Sequence, residues 1–422
     1  MDSIILSGGA VLEGTVTLGG SKNAALPVII SSLLSAGKCS YRRVPALRDV
    51  STTLRLLSRL GVTIEKDLLA DGHLELTADK IHELEAPYDL VKTMRASFLV
   101  LGPLLARFGE ARVSTPGGCA IGSRPVDLHL RGLERMGACI RQDHGYIEAR
   151  AKQLKGAVID LGFPSVGATE NLMMAATLAR GATEIRNAAQ EPEIVELAAV
   201  LTGMGARVGG AGTGVIRVEG VPELHGMEHE MGPDRIEAGT FMVGAALTGG
   251  DVLIEDARAD DLKAFLAKLR ETGVRVTPGP GGVRVTGNGR VHGTDVATQP
   301  FPGFPTDLQA QMMVLMAVAD GASVITENIF ENRFMHVQEL NRMGARIALD
   351  GNRATVQGVP GLSGAPVMAT DLRASVSLVL AGLVARGATE VSRVYHLDRG
   401  YENIEGKLAR LGADIRRVER DD

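Results

Sequence analysis

The sequence predicts an α/β protein of two inside-out α/β barrel domains, each of three repeats of about 70 residues, around a central cleft. Three observations carry that expectation. The first is a phrase that returns six times, an apolar helix end running into Gly, a small residue and then Ile or Val: LSRLGVTI, LERMGACI, LTGMGARV, LRETGVRV, LNRMGARI and LARLGADI. Its glycines, Gly61, Gly137, Gly205, Gly273, Gly344 and Gly412, stand about 70 residues apart, and a helix stopped by Gly before β-branched residues is a helix-to-strand turn. The second is composition: helices such as NAALPVIISSLL, NLMMAATLA and LQAQMMVLMAVA are rich in small residues and Met, so they can be buried all round. The hairpins HLELTA, GVIRVEG and GGVRVTG alternate apolar with polar, which places helices inside and half-buried sheets outside. The third is an imbalance at the ends: the last repeat stops at ADIRRVERDD without a returning strand, while the chain opens on orphan strands in SIILSGG and VLEGTVTLGG.

The N-terminal strands are therefore expected to complete the sixth repeat. Residues 22–229 then form one continuous domain, and 1–21 plus 230–422 a discontinuous one, with a hinge at crossings near Gly20 and His229–Pro233. A single closed ring of six repeats is the other arrangement the pattern allows. Within each repeat the order is a small-residue helix, a short strand such as ATEIRNA, DVLIEDA or SVITENI, a second helix and a hairpin. The glycine runs GGAGTG (209–214) and GPGG (279–282) lie between strand-like segments and open no helix, so they read as hairpin turns, not phosphate loops.

Composition removes several function classes. Lys plus Arg is 45 against Asp plus Glu 50, a net charge of −5, and only 3% of residues are aromatic, which leaves neither a basic footprint nor stacking platforms for nucleic acid. The most apolar stretches, 98–106, 312–319 and 375–385, fall short of the ~18–20 residues that cross a bilayer, so no membrane span is expected. The start MDSIILSGGAVLEG has no basic leader or long apolar segment, and a cytoplasmic location follows. Cysteines at 39, 119 and 139 suit neither a disulfide frame nor a zinc pattern, and the nine histidines show no metal spacing; no metal or cofactor is expected.

The polar residues that remain gather at two kinds of position. First helices open with SKNAAL (21–26), TMRASF (93–98), SVGATE (165–170), PTDLQA (305–310) and TDLRAS (370–375), and a helix N-terminus with a Lys or Arg is an anion site. Lys22 with Asn23 reads as a phosphate grip or a solvated cap, Asp307 as a helix-terminal acid or a base. Loops before second helices carry Arg124, Arg258, Arg333 and Arg399 at one recurring place, suited to bidentate oxyanion recognition, although Arg258 and Arg333 have Asp260 and Glu331 as local partners. Cys39 and Cys139 read as buried and inert. Cys119 stands instead in the Gly- and Pro-rich loop TPGGCAIGSRP, five residues before Arg124, where a nearby guanidinium favours the thiolate.

Taken together, GGSKNAALP, VKTMRAS, PGGCAIGSRPVDLH, FPSVGATENLMMAA, FPTDLQAQ, ENRFMHV, DLRAS and YHLDRGYENIEGKL resemble the UDP-N-acetylglucosamine 1-carboxyvinyltransferase family of peptidoglycan synthesis nearly end to end. The resemblance implies transfer of the enolpyruvyl group of phosphoenolpyruvate to the 3′-hydroxyl of UDP-N-acetylglucosamine with release of phosphate. It makes Cys119 the acid that protonates the methylene carbon, open to alkylation by the epoxide fosfomycin, and Asp307 the group that takes the hydroxyl proton. It gives Lys22, Arg124 and Arg399 to the phosphoenolpyruvate anion and Asn23 to the substrates. Arg95, Arg124, Pro125, Val126, Asp127 and Leu128 would line the nucleotide-sugar side, with Ser165, Val166 and Gly167 on the diphosphate and Ile329 near the sugar; Arg373 would lie close to the reacting centre. One departure is Phe163, followed by Pro164, where some members carry a Lys. The sister activity, 3-phosphoshikimate 1-carboxyvinyltransferase, and a catalytically silent nucleotide-sugar-binding paralogue are the alternatives.

Overall fold

The computed structural model describes residues 2–66, 71–116 and 126–419. Among these residues the strands form six four-stranded sheets and one two-stranded ladder, and one rule generates the six. In the third repeat, Val158–Asp160 runs parallel to Ala182–Arg186, which pairs antiparallel with Val215–Glu219, and that strand with Arg207–Gly209. The parallel edge strand is always contributed by the end of another repeat, and the identity of that repeat decides the architecture. Glu85–Ala86 passes from the first repeat to the second, and Val158–Asp160 from the second to the third. Glu228–Glu230, at the end of the third, then pairs with Lys38–Arg42 of the first. Three repeats thereby close on themselves.

The other three close the same way through the N-terminus. Ser3–Ser7 lies between Ala388–Ser392 and Asp414–Val418, with Ile4 opposite Val391 on one side and Arg417 on the other, so it supplies the strand that the sixth repeat lacks. The second N-terminal strand departs from expectation. Glu13–Thr17 does not join the sixth sheet but edges the fourth, parallel to Asp251–Glu255, because the sixth repeat must hand its edge strand on for the ring to close.

The described residues accordingly divide into two compact units, one running from Gly20 to Gly232 and the other holding residues up to Gly19 and from Pro233 onward. At the crossings the Ser21 N–H donates to the Gly232 carbonyl at 2.8 Å, and the Asp234 N–H to the Gly19 carbonyl at 3.1 Å. Gly20 is required there, since a Cβ would collide with the Arg43 carbonyl. Each unit has its own apolar core. At its centre lie helices buried on nearly every side, Lys22–Ser31 and Val166–Ala176 in one unit, Arg235–Thr248, Gln309–Ala317 and Leu372–Val384 in the other. Strands such as Val215–Glu219 bury every second residue, as sheets with one wet face do. The six repeat glycines all have φ between 88° and 109°, the left-handed cap that ends each helix.

Both glycine runs form hairpin turns, between Arg207–Gly209 and Val215–Glu219 and between Arg275–Gly279 and Gly282–Thr286. Cys39 is buried, and burial pushes its thiol up. Cys139, expected to be buried, is exposed. It occupies the second position after the repeat glycine, where Thr63, Arg207, Arg275, Arg346 and Asp414 also face solvent from the edge strand of their sheets. Among the described residues no helix is long and apolar enough to cross a membrane, and no group of three or more His, Cys, Asp or Glu could hold a metal ion.

Candidate active site

Asp307 is the centre of the best-defined polar constellation. It sits in the short turn Thr306–Leu308 that leads into the buried helix Gln309–Ala317. Each of its carboxylate oxygens has its own guanidinium: Arg333 Nη2 donates to Oδ1 at 2.7 Å, and Arg373 Nη2 to Oδ2 at 2.9 Å. Both arginine side chains are only 4% exposed against 25% for Asp307, so the carboxylate is the member of the trio that reaches solvent. Two guanidinium groups on one carboxylate fix its orientation from both oxygens.

The supports are local. Asp371 caps the helix Leu372–Val384 by accepting from the Arg373 and Ala374 N–H groups at 2.8 and 3.1 Å. Arg373 also donates from Nη1 to the Tyr401 hydroxyl at 3.3 Å, and that hydroxyl meets Thr240 Oγ1 and Gln311 Nε2. Burial alone would lower the Arg373 pKa, but Asp307, Tyr401 and Asp234 more than offset it and raise it. Glu327, 3% exposed, accepts from the Thr306 hydroxyl at 2.9 Å and from the Ile329 and Phe330 N–H groups. It ties the turn carrying Asp307 to the loop that carries Ile329 and Arg333. The local partners weighed for the arginines are thus displaced: Arg333 takes Asp307 and not Glu331, and Asp260 pairs with Lys263.

In the other unit Lys22 begins the helix Lys22–Ser31, whose N-cap is Ser21. Its ammonium pairs with Asp49 at 3.0 Å, with the two side chains 12% and 5% exposed. Asn23 follows it on the first turn. The nucleotide-side candidates meet around His129. Arg95 opens the turn Arg95–Val100, and Val126, Asp127 and Leu128 start the helix Asp127–Arg135 that carries His129. Ser165 caps Val166–Ala176 by accepting from Ala168 N–H, and a Cβ on Gly167 would lie 3.4 Å from the imidazole. Gly102 N–H donates to Asn171 Oδ1, so the Asn171 amide nitrogen, 3.0 Å from His129 Nδ1, donates there and leaves the imidazole proton on Nε2. Burial and then Arg95 lower the His129 pKa to about 3. Phe163 is 42% exposed, and its carbonyl, not its ring, meets the helix start by accepting from Ser165 N–H at 2.7 Å. Cys119, Arg124 and Pro125 lie outside the described residues. Arg399 ends the turn Val394–Arg399.

Residues of these constellations that escaped the sequence reading include Asp49, His129, Asn171 and Tyr401. Asp49 had no signal, being one ordinary polar residue on an amphipathic helix; Asn171 stood inside the quoted motif FPSVGATENLMMAA, on a helix whose burial makes any polar residue notable. His129 and Tyr401 stood inside the quoted motifs RPVDLH and DRGYE, and an aromatic beside a binding segment is a fair pointer.

The EPSP synthase (3-phosphoshikimate 1-carboxyvinyltransferase) family model matches residues 6–408. Similar curated proteins include the UDP-N-acetylglucosamine 1-carboxyvinyltransferase of Geobacter metallireducens, 59% identical over 99% of this chain and 100% of its own length. That of Gluconacetobacter diazotrophicus is 58% identical over the same shares. Among solved structures, the enolpyruvyl transferase NikO from Streptomyces tendae covers 99% of both chains at a TM-score of 0.89 and 26% identity. EPSP synthase from Acinetobacter baumannii shares the fold at a TM-score of 0.77 and 21% identity. With full-length identity of this order and with six repeats closed three by three, the chain belongs to the EPSP synthase family of enolpyruvyl transferases, on its UDP-N-acetylglucosamine 1-carboxyvinyltransferase branch.

Proposed function

We propose that the protein transfers the enolpyruvyl group of phosphoenolpyruvate to the 3′-hydroxyl of UDP-N-acetylglucosamine and releases phosphate, the first committed step of peptidoglycan synthesis. The observation that carries this reading is Asp307, oriented by two buried arginines and itself open to solvent. In the proposed reaction Asp307 accepts the proton of the 3′-hydroxyl as its oxygen attacks C2 of phosphoenolpyruvate. The Cys119 thiol gives its proton to C3, which becomes a methyl group. In the resulting tetrahedral adduct the C2–O bond to phosphate breaks as a methyl proton leaves C3 for the Cys119 thiolate, and the phosphate departs with the proton held by Asp307, leaving the enol ether and both side chains in their starting forms.

Lys22, Arg124 and Arg399 are assigned to the phosphoenolpyruvate anion, and Asn23 to both substrates. Arg95, Arg124, Pro125, Val126, Asp127 and Leu128 are assigned to the nucleotide sugar, Ser165, Val166 and Gly167 to its diphosphate, Ile329 to the sugar and Arg373 to the reacting centre. Joining two polyanions needs fixed cations, and preorganised charges lower the barrier without reorganisation. With Phe163 in place of a Lys, the diphosphate is left to the N–H groups of the capped helix start and to arginines. The reading assigns the protein to the cytoplasm, where both substrates are made.

Phosphate release on mixing the purified protein with the two substrates tests the proposal. Release with shikimate 3-phosphate as the only effective acceptor would transfer the protein to the sister activity. Tight nucleotide-sugar binding with no release would mark a silent binder.

A further inference from the structure

Arg399 belongs to a segment that the rest of its unit holds from two sides. The segment is bracketed by two non-glycine residues in the left-handed conformation, Arg393 with φ 58° and Asn403 with φ 47°. Such backbone is disfavoured for a residue with a Cβ and persists where surrounding contacts hold it. On the inner side, Tyr401 is buried and its hydroxyl meets Thr240, Gln311 and Arg373, while Gly400 packs so closely on Leu372 that a Cβ would meet its side chain at 2.5 Å.

On the outer side stands Arg417, in the last strand Asp414–Val418. It donates from Nη2 to Asp398 Oδ1 at 2.5 Å and from Nη1 to Asp398 Oδ2 at 3.1 Å, a fork on the residue next to Arg399. Its Nε donates to Glu405 Oε1 at 2.7 Å, just past the N-cap Asn403 of the helix Ile404–Arg410, and Asp2 Oδ2 lies 3.4 Å from Nη1. One guanidinium thus gathers carboxylates from three separate stretches of chain, and the Asp398 bond leads the causes that raise its pKa. A single exposed ion pair contributes little to stability. A planar fork on two carboxylates that flank one turn does something different, since it fixes the direction of that turn.

We propose that Arg417 is a positioning residue for Arg399: by clamping Asp398 and Glu405 it sets the turn from which Arg399 meets the phosphoenolpyruvate anion. The proposal rests on the assignment of Arg399 to that anion. Without Arg417, three carboxylates face one another unpaired and the turn moves away from its bound geometry. A Lys at 417 can satisfy one carboxylate but cannot fork.

Steady-state kinetics of the full chain test this with Arg417→Met, Arg417→Lys, Arg399→Met and the Arg417→Met/Arg399→Met double variant. Arg417→Met should raise KM for phosphoenolpyruvate about tenfold, with kcat and KM for UDP-N-acetylglucosamine within about threefold, and Arg417→Lys should fall between it and the wild type. The double variant should be no worse than Arg399→Met alone, because a residue that acts only through Arg399 has nothing left to position. Should Arg417→Met not fold, Asp398→Asn breaks the same fork from the other side and should give the same selective rise. The proposal is overturned if KM for phosphoenolpyruvate is unchanged, if the nucleotide-sugar KM rises equally, or if the two substitutions add. If Arg399→Met itself leaves KM for phosphoenolpyruvate unchanged, the assignment of Arg399 fails first, and the proposal with it.

Discussion

Asp307 offers two roles that a single substitution separates. Asn has nearly the same shape, but its amide can accept at one oxygen only and presents N–H groups to the other guanidinium, so either Arg333 or Arg373 loses its partner in a buried setting. Asp307→Asn should therefore cost about 1–3 kcal/mol of stability as well as most turnover. Nucleotide-sugar binding should stay within about tenfold, roughly 1.4 kcal/mol. Calorimetry, thermal melting and a phosphate assay measure the three; full turnover would leave Asp307 as an orienting acid at the start of a helix. Cys119 is tested by chemistry. Fosfomycin should alkylate it faster than exposed Cys139 or buried Cys39, because its phosphonate would be held by the cations assigned to phosphoenolpyruvate, which sets the epoxide beside Cys119 alone. Cys119→Asp should keep measurable transfer and escape the epoxide, while Cys119→Ser should lose most activity, a hydroxyl being too weak an acid. Label on another cysteine in peptide mass mapping, or full activity of the Ser variant, would remove Cys119 from the mechanism.

Elements explain which parts of this could be read from the sequence. The six caps were legible because a helix that must turn into a strand within a few residues needs a left-handed residue, and all six glycines adopt it. The same repeat contained the exposure of Cys139, since the second position after each glycine lies on an outer strand face; reading Cys by residue type alone hid it. Strand Ser3–Ser7 could be foreseen from a missing partner. The place of Glu13–Thr17 could not, because an edge pairing between residues 13 and 251 leaves no local trace. The arginine clamp failed to show for a similar reason: Arg333 reaches Asp307 from a later loop of the same repeat and Arg373 from the next repeat, and sequence neighbours such as Glu331 offered nearer but wrong partners. Packing also makes an element-scale prediction. Gly400 has an ordinary φ of −146°, so Gly400→Ala carries no backbone strain of its own, yet its methyl must displace Leu372, the first residue of the helix that presents Arg373. Turnover should fall about tenfold or more with far-ultraviolet circular dichroism unchanged, as small misplacements at a reacting centre do. Unchanged kcat would show that the contact is slack.

At the scale of the whole molecule, each unit buries ionisable groups in their neutral form, and their signs set how stability follows pH. His129 in one unit is lowered to about 3 by burial and Arg95. His336 in the other is lowered to about 4 by burial, with Arg333 lowering it further and Asp371 opposing. Between those values and the ordinary 6.5, the unfolded chain binds a proton that the folded chain refuses, so stability falls as pH drops through this window. The slope is at most about 1.4 kcal/mol per pH unit for each imidazole. Glu170 acts in the opposite direction. Burial, then Glu193 and Glu191, raise its pKa well above 4.5, so the folded state holds the extra proton, and the contribution present below 4.5 is lost as pH rises toward the folded value. Urea unfolding between pH 7 and pH 5, with amide exchange read peptide by peptide to assign each unit, should show the unit that holds His336 losing stability as pH falls, while in the unit of residues 20–232 His129 and Glu170 oppose each other. His129→Gln, which can still accept from Asn171, should leave Glu170 unopposed, so that this unit gains stability as pH falls, with the other unit's slope intact. Glu170→Gln should leave His129 unopposed, so that the unit loses stability as pH falls, and should stabilise it at pH 7, where the native carboxyl is costly to bury. If His129→Gln leaves the slope as it was, the imidazole is not held neutral in the fold, and the tautomer assigned from Asn171, with its Nε2 proton beside Gly167, falls with it.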